Sequence, residues 1–142
     1  MSQRNIDALK RFVDAINSGK LEALNELVEH NVVDHDAAEG QEPGAAGYIK
    51  FFSDLRNSFS NLKIEIKHTV ADEHYVAMAY KMTGVHKGRF LHVPPTGHTI
   101  IVRGMMMGRF YGGRLVERWG VIDELGILEQ LGAVEGRNRV MA

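Results

Sequence analysis

Residues 113–132, GRLVERWGVIDELGILEQLG, contain a strand followed by a helix, and the reading of the strand half decides the fold. At a two-residue period Leu115, Glu117, Trp119, Val121 and Asp123 fall on one face, with Val116, Arg118, Gly120 and Ile122 on the other. Two carboxylates then share a face with the chain's only tryptophan. A surface strand usually sets its acids opposite its aromatics, so this mixture reads as a pocket wall rather than as core or solvent front. Residues 124–131 continue as a short helix.

Working outward, Gly112-Gly113 forms a hairpin turn joining this strand to the one before it, residues 100–111. Two further strands alternate in the same way. Residues 75–83 place Val76, Met78, Tyr80 and Met82 together. Residues 61–70 place Leu62, Ile64, Ile66, His68 and Val70 on one face against Lys63, Glu65 and Lys67, so His68 is expected on the apolar side. Between them and residue 100, GVHKGRFLHVPPTGHT is broken by glycines and Pro94-Pro95 and reads as a long hairpin tip. The N-terminal part is helical instead. Ile6, Leu9, Phe12, Val13 and Ile16 recur at helical spacing up to Asn17-Ser18-Gly19, and Leu21, Leu24, Leu27 and Val28 mark a second helix ending near His30-Asn31. Residues 32–36 begin as a buried strand and finish in three polar groups, Asp34, His35 and Asp36, before a loop. A third helix, residues 45–59, carries Tyr48, Phe51, Phe52, Leu55 and Phe59 on one stripe, an aromatic load suited to a lid or a cavity wall as well as to ordinary core.

Helices followed by antiparallel strands give an α+β class, with a strongly curved antiparallel or mixed sheet wrapping the three N-terminal helices into a cone open at one end. Such a cone holds a small ligand between helices and sheet. A length of 142 residues fits one domain, with a folded core over residues 1–132 and a polar tail over 133–142. Seventeen basic and 18 acidic side chains leave a net charge of -1, which offers no footprint for nucleic acid or an anionic membrane. Cysteine is absent, which rules out disulfides and thiolate chemistry and suits a reducing, cytoplasmic setting. No apolar run is long enough to span a bilayer.

Two motifs, GVHKGRFLHVPPTGH at residues 84–98 and WGVIDELGILEQLG at residues 119–132, together with Val33-Asp34-His35-Asp36 and the entry into the sheet at residues 59–66, resemble the SnoaL-like polyketide cyclases of the nuclear transport factor 2-like superfamily. The resemblance implies a cone-shaped barrel that closes a ring by intramolecular aldol chemistry on a carbonyl substrate, with no metal or organic cofactor. It implies that Asp123 is the acid and base. It also implies a departure: where those cyclases carry glutamine and histidine on the strand before the final hairpin, this chain has Gly104 and Met106, and Asp34 replaces an asparagine. Proteins of this superfamily commonly pair through the convex face of the sheet. If that face carries Arg103, Arg109 and Arg118, on strands near the methionines at 105–107, they suit a subunit interface better than a catalytic role, and a homodimer or larger homo-oligomer is expected.

An aldol closure needs a base to take a proton from a carbon flanked by carbonyls and an acid to return one to the alkoxide. Free aspartate, with a pKa of about 3.9, needs desolvation or a neighbouring like charge to do both. Asp123 and Asp34 are the candidate catalytic carboxyl groups. Trp119, Glu117, His35, His68, His86, Met106, Tyr48 and Phe51 are the candidate substrate contacts. Several of these have a purely structural alternative. Asp123 precedes a helix, where an aspartate caps backbone amides. His86 serves either the hairpin backbone or a substrate carbonyl, and His68 is also suited to the core. Asp34-His35-Asp36 makes a poor metal site, because neighbours on a strand diverge. Proton shuttling of the steroid-isomerase type, epoxide opening by a carboxylate pair, and non-catalytic binding of an apolar metabolite are the competing functions.

Overall fold

Residues 2–134 are described in a computed structural model. Residues 135–142, most of the expected tail, lie outside the described residues. Helix α1 (Ser2–Ser18) turns Leu9, Phe12, Val13 and Ile16 into the core, as their spacing requires, and ends at Gly19, whose φ of 81° is the left-handed stop. Its last turn is bound to the sheet by Asn17, whose side chain donates to the carbonyl of Ile64 at 2.8 Å and accepts the Ile64 amide at 2.7 Å.

A 3-10 turn (Leu21–Ala23) and helix α2 (Leu24–Leu27) run directly into strand β1 (Val28–Asp34). The second helix therefore stops short of the expected His30-Asn31. Residues 28–34 are drawn into parallel pairing with the last strand, and sheet hydrogen bonds across the fold override local helical preference. Helix α3 (Gly44–Ser58) follows, then β2 (Phe59–Ala71), β3 (Tyr75–His86), β4 (Thr99–Tyr111), β5 (Arg114–Ile122) and helix α4 (Glu124–Gln130). The five strands form one mixed sheet in the order β1-β5-β4-β3-β2, in which only the β1–β5 pair is parallel. The helices fill its concave side, giving the α+β cone. None of the helices described is long and apolar enough to cross a membrane.

Among the register shifts of the sheet, one in β2 and one in β5 decide where several candidate residues point. In β2, Ile66 faces Tyr80 while His68 faces Ala79, so Lys67 is the extra residue. In β5, Leu115 faces Phe110 while Glu117 faces Arg109, so Val116 is the extra residue. One inserted residue reverses the alternation downstream. His68 is exposed rather than on the apolar side. Leu115 is fully buried, yet the inward set beyond it is Arg118, Gly120 and Ile122, while Glu117 and Trp119 point to the convex face.

Candidate functional site

Between the helices and the concave sheet lies a cavity of about 890 Å³. Its wall is mostly apolar: Phe12 and Ile16 from α1, Phe51, Phe52 and Leu55 from α3, Met78, Met82 and Met106 from the sheet, and Phe90 and Leu91 from the β3–β4 loop. Phe12 meets both Tyr48 and Phe52 edge to face, at centroid distances of 5.8 and 6.0 Å, which fixes α1 against α3 along this wall.

Glu39, Asp54, Arg89 and Glu124 also reach the lining, and a hydrogen-bonded charged cluster is built into it around Asp34. Asp34 ends β1 and faces Arg118 across the parallel pair; the guanidinium Nη1 lies 3.2 Å from each carboxylate oxygen. The Tyr48 hydroxyl donates to Asp34 Oδ2 at 2.7 Å, and the Asp36 amide donates to Oδ1 at 2.9 Å. The side chains of Asp34 and Arg118 are only 7% and 19% exposed, so this is an ion pair largely withdrawn from water. Burial, reinforced by its hydrogen bond to Asp34, pushes the Tyr48 hydroxyl far above the ordinary tyrosine range, so it remains a donor at any working pH. Arg118 owes its conformation to Gly120: a side chain at that position would overlap the guanidinium. Asp36, also on the cavity wall, accepts the Gly120 amide at 2.8 Å, tying the end of β1 to β5.

Tyr80 adds a second phenol. It faces Gly104 across β3 and β4, and a Cβ at residue 104 would overlap its ring and hydroxyl. The place where the resemblance predicts glutamine is thus filled from the neighbouring strand. Burial raises the Tyr80 pKa, partly opposed by the charge of Arg118.

Apart from Asp123, the candidate residues separate into three groups. Asp34, Tyr48, Phe51 and Met106 line the cavity. His35, Glu117 and Trp119 are assembled on the opposite side of the sheet: His35 Nε2 lies 2.6 Å from Glu117 Oε2, Arg109 Nε donates to Oε1 at 2.9 Å, and the His35 ring stacks on Trp119 at 4.7 Å. The mixed face that reads as a pocket wall is therefore an outer surface, because the bulge at Val116 turned it over. Arg118, expected on that outer face, is inside for the same reason. His68 and His86 form the third group, away from the cavity wall. His86 is completely buried; the Thr96 amide donates to its Nδ1 at 3.1 Å, leaving Nε2 without a hydrogen-bond partner among the described residues. Burial lowers its pKa, and its visible role is to brace the β3–β4 loop.

Asp123 is the N-cap of α4, its carboxylate accepting the Gly126 amide at 2.9 Å. Ile122 and Glu124 on either side of it reach the cavity wall, whereas Asp123 is not one of the lining residues. No cluster of three or more His, Asp or Glu suited to a metal ion occurs among the described residues. Sequence reading missed Arg118 and Tyr80 as site residues. Gly104 and Gly120 were the available signals, since a glycine facing inward in the middle of a strand often marks the close approach of another group.

Among the described residues, the cone of four α-helices and a five-stranded mixed sheet around this cavity defines the fold class of the protein. Within that class, the chain belongs to the SnoaL-like polyketide cyclase family, whose profile matches residues 6–131. Among solved structures it is similar to AclR from Streptomyces galilaeus, named as a proposed hydroxylase, with 26% identity over 99% of this chain and 88% of AclR and a TM-score of 0.84. It is also similar to IdmH from Streptomyces antibioticus, named as a proposed polyketide cyclase, with 29% identity over 90% of this chain and 98% of IdmH and a TM-score of 0.79. A SnoaL-like polyketide cyclase from Agrobacterium tumefaciens shares the fold at 21% identity, with 90% and 98% of the two chains covered and a TM-score of 0.75. No curated protein sequence matches the chain.

Proposed function

We propose that this protein is a cytoplasmic enzyme of the cyclase type, performing acid/base chemistry on an apolar, carbonyl-containing small molecule held in the cavity. The observation that carries this reading is the Asp34–Arg118–Tyr48 cluster, a largely buried, charged and hydrogen-bonded group set into a predominantly apolar wall. Asp34 takes the proton from a carbon between two carbonyls. The resulting enolate carbon attacks a second carbonyl of the same molecule, forming the ring bond. The alkoxide left by that attack receives the proton from the Asp34 carboxyl group, so the carboxylate is regenerated. Proton transfer is the chemistry these side chains support by themselves, and the apolar wall keeps bulk water from competing for the enolate.

Asp123, the acid/base that the family resemblance implies, remains the rival for this role from its position as helix cap. A second reading, a binding domain without turnover, is favoured by one feature: both Asp34 oxygens already accept bonds from Arg118, Tyr48 or the Asp36 amide. Turnover of an activated dicarbonyl ester, compared in the wild type, Asp34→Asn and Asp123→Asn, separates these possibilities. The expected result is a loss of about a hundredfold or more in kcat for Asp34→Asn with ligand binding retained. A loss confined to Asp123→Asn at unchanged stability transfers the role to that residue, and a wild type that binds without turnover establishes the binding reading.

We further propose that two copies pair through the convex face, where Ile101 and Met105 are 58% and 59% exposed. Sedimentation showing only monomer at micromolar concentration overturns this.

A further inference from the structure

Two glycines on adjacent strands leave gaps in the concave wall, and a polar side chain leans into each. Gly104 of β4 faces Ile122 of β5, and the next inward position of β4, Met106, faces Gly120. The space above Gly104 is taken by the Tyr80 ring and hydroxyl, and the space beside Gly120 by the Arg118 guanidinium. The two polar heads are thereby brought over neighbouring inward positions of β4 and β5. Both residues line the cavity.

Their donors are not all in use. Among the described residues, the Tyr80 hydroxyl makes no hydrogen bond, and Arg118 bonds Asp34 through Nη1 only. Burial keeps the phenol protonated, so it has a hydrogen to donate. We infer that Tyr80 and Arg118 form a subsite for an enolic or phenolic oxygen of the ligand, donating to it from two directions.

The groups around this subsite narrow its ligand class. Asp34 neutralises the charge of Arg118, and Tyr48 is bonded to Asp34, so the cluster offers directed donors without net positive charge. A carboxylate or phosphate would bring a full, concentrated charge into an apolar hollow containing Asp34. An enolate or phenolate spreads its charge over an aromatic or dicarbonyl system that Met78, Met82 and Met106 can cover. The inference rests on the cavity being the ligand site proposed above, and it identifies the atom on which that ligand is gripped.

The test is equilibrium binding of 4-nitrophenol to the purified full-length protein, read by phenolate absorbance, with 4-nitrobenzoate as a carboxylate of the same shape. The bound phenol is expected to be more ionised than the free phenol at the same pH, and to bind more tightly than the benzoate. Tyr80→Phe, which removes only the hydroxyl, is expected to weaken binding about tenfold and to reverse part of the spectral shift. Gly104→Ala, whose methyl displaces the Tyr80 ring, is expected to act in the same direction while circular dichroism stays native. No binding by the wild type, tighter binding of the benzoate, or less than a threefold loss in Tyr80→Phe overturns the inference. A protein that ionises the phenol in this way yet leaves dicarbonyl esters unchanged retains the subsite and loses the cyclase reading. Turnover with no effect of Tyr80→Phe on binding does the reverse.

Discussion

Strands β1, β5 and β4 carry two carboxylate–arginine pairs, back to back on opposite faces of one sheet. Asp34 and Arg118 point inward; their chain neighbours Glu117, His35 and Trp119, joined by Arg109, point outward. The chemistry is nearly the same on both sides, but the surroundings are not. The Asp34 and Arg118 side chains are 7% and 19% exposed, whereas Arg109, the cation of the outer pair, is 41% exposed. An ion pair at the surface is screened and contributes little, while one removed from water has already lost its hydration and depends on its partner. The inner pair is therefore the one whose disruption has large consequences, and the one a ligand in the cavity would meet.

The largest effect should come from breaking it on one side. Arg118→Met leaves Asp34 among apolar neighbours with Tyr48 and the Asp36 amide for support. Urea denaturation is expected to show a loss of about 3 kcal/mol, near the lower end of the range for splitting a buried pair because some solvent reaches Arg118. The double variant Asp34→Asn/Arg118→Met removes the stranded charge and should recover a substantial part of that loss. Single and double variants that unfold alike would mean that the two side chains act independently, and the contrast between the faces would disappear.

How much of this was legible beforehand depended on bulges rather than on composition. The helical spacing of Leu9, Phe12, Val13 and Ile16 and the alternation of Val76, Met78, Tyr80 and Met82 gave the class, the helices and the sheet, because long periodic runs have only one face to bury. One extra residue at Val116, however, reversed everything beyond Leu115. It moved Trp119 and Glu117 out of the expected pocket and Arg118 into it. The same event at Lys67 moved His68 outward. A bulge is stabilised by twist and by pairing with a distant strand, and neither leaves a period in the local sequence. Asp34, Tyr48, Phe51 and Met106, read as site residues from local pattern, all line the cavity, Asp34 although the β1–β5 register shifts between Val28 and Val33. Asp123 was legible in both its readings, and the helix cap is the one with a hydrogen bond in the structure.

An intermediate effect is expected where the two faces meet. Asp123 closes β5 and opens α4, and the Gly126 amide it accepts is one of the otherwise unsatisfied donors of the first helical turn. Asp123→Ala should cost about 1 kcal/mol, whereas Asp123→Ser, which caps as well, should restore most of it. If activity on a dicarbonyl ester follows stability through this pair of substitutions, the residue is a cap. If Ser restores stability while activity stays lost, the carboxyl group itself takes part in the reaction, and the catalytic centre extends from Asp34 towards α4.

The smallest effect belongs to the outer pair, and its pH dependence distinguishes it from the inner one. Hydrogen bonds from His35 and then Arg109 hold the Glu117 carboxyl below its ordinary range. A depressed folded-state pKa means that the unfolded chain takes up a proton first as pH falls. The contribution of Glu117 is therefore fully present above the unfolded value of about 4.3 and is lost as pH drops through the folded one. Glu117→Gln should unfold at a slightly lower urea concentration than wild type at pH 7, and the two curves should converge in acid. Binding of 4-nitrophenol in the cavity should be unchanged, since Glu117 faces away from it. A Glu117→Gln variant that weakened binding as much as Tyr80→Phe would show that the sheet transmits between its faces, and the two clusters would have to be treated as one site.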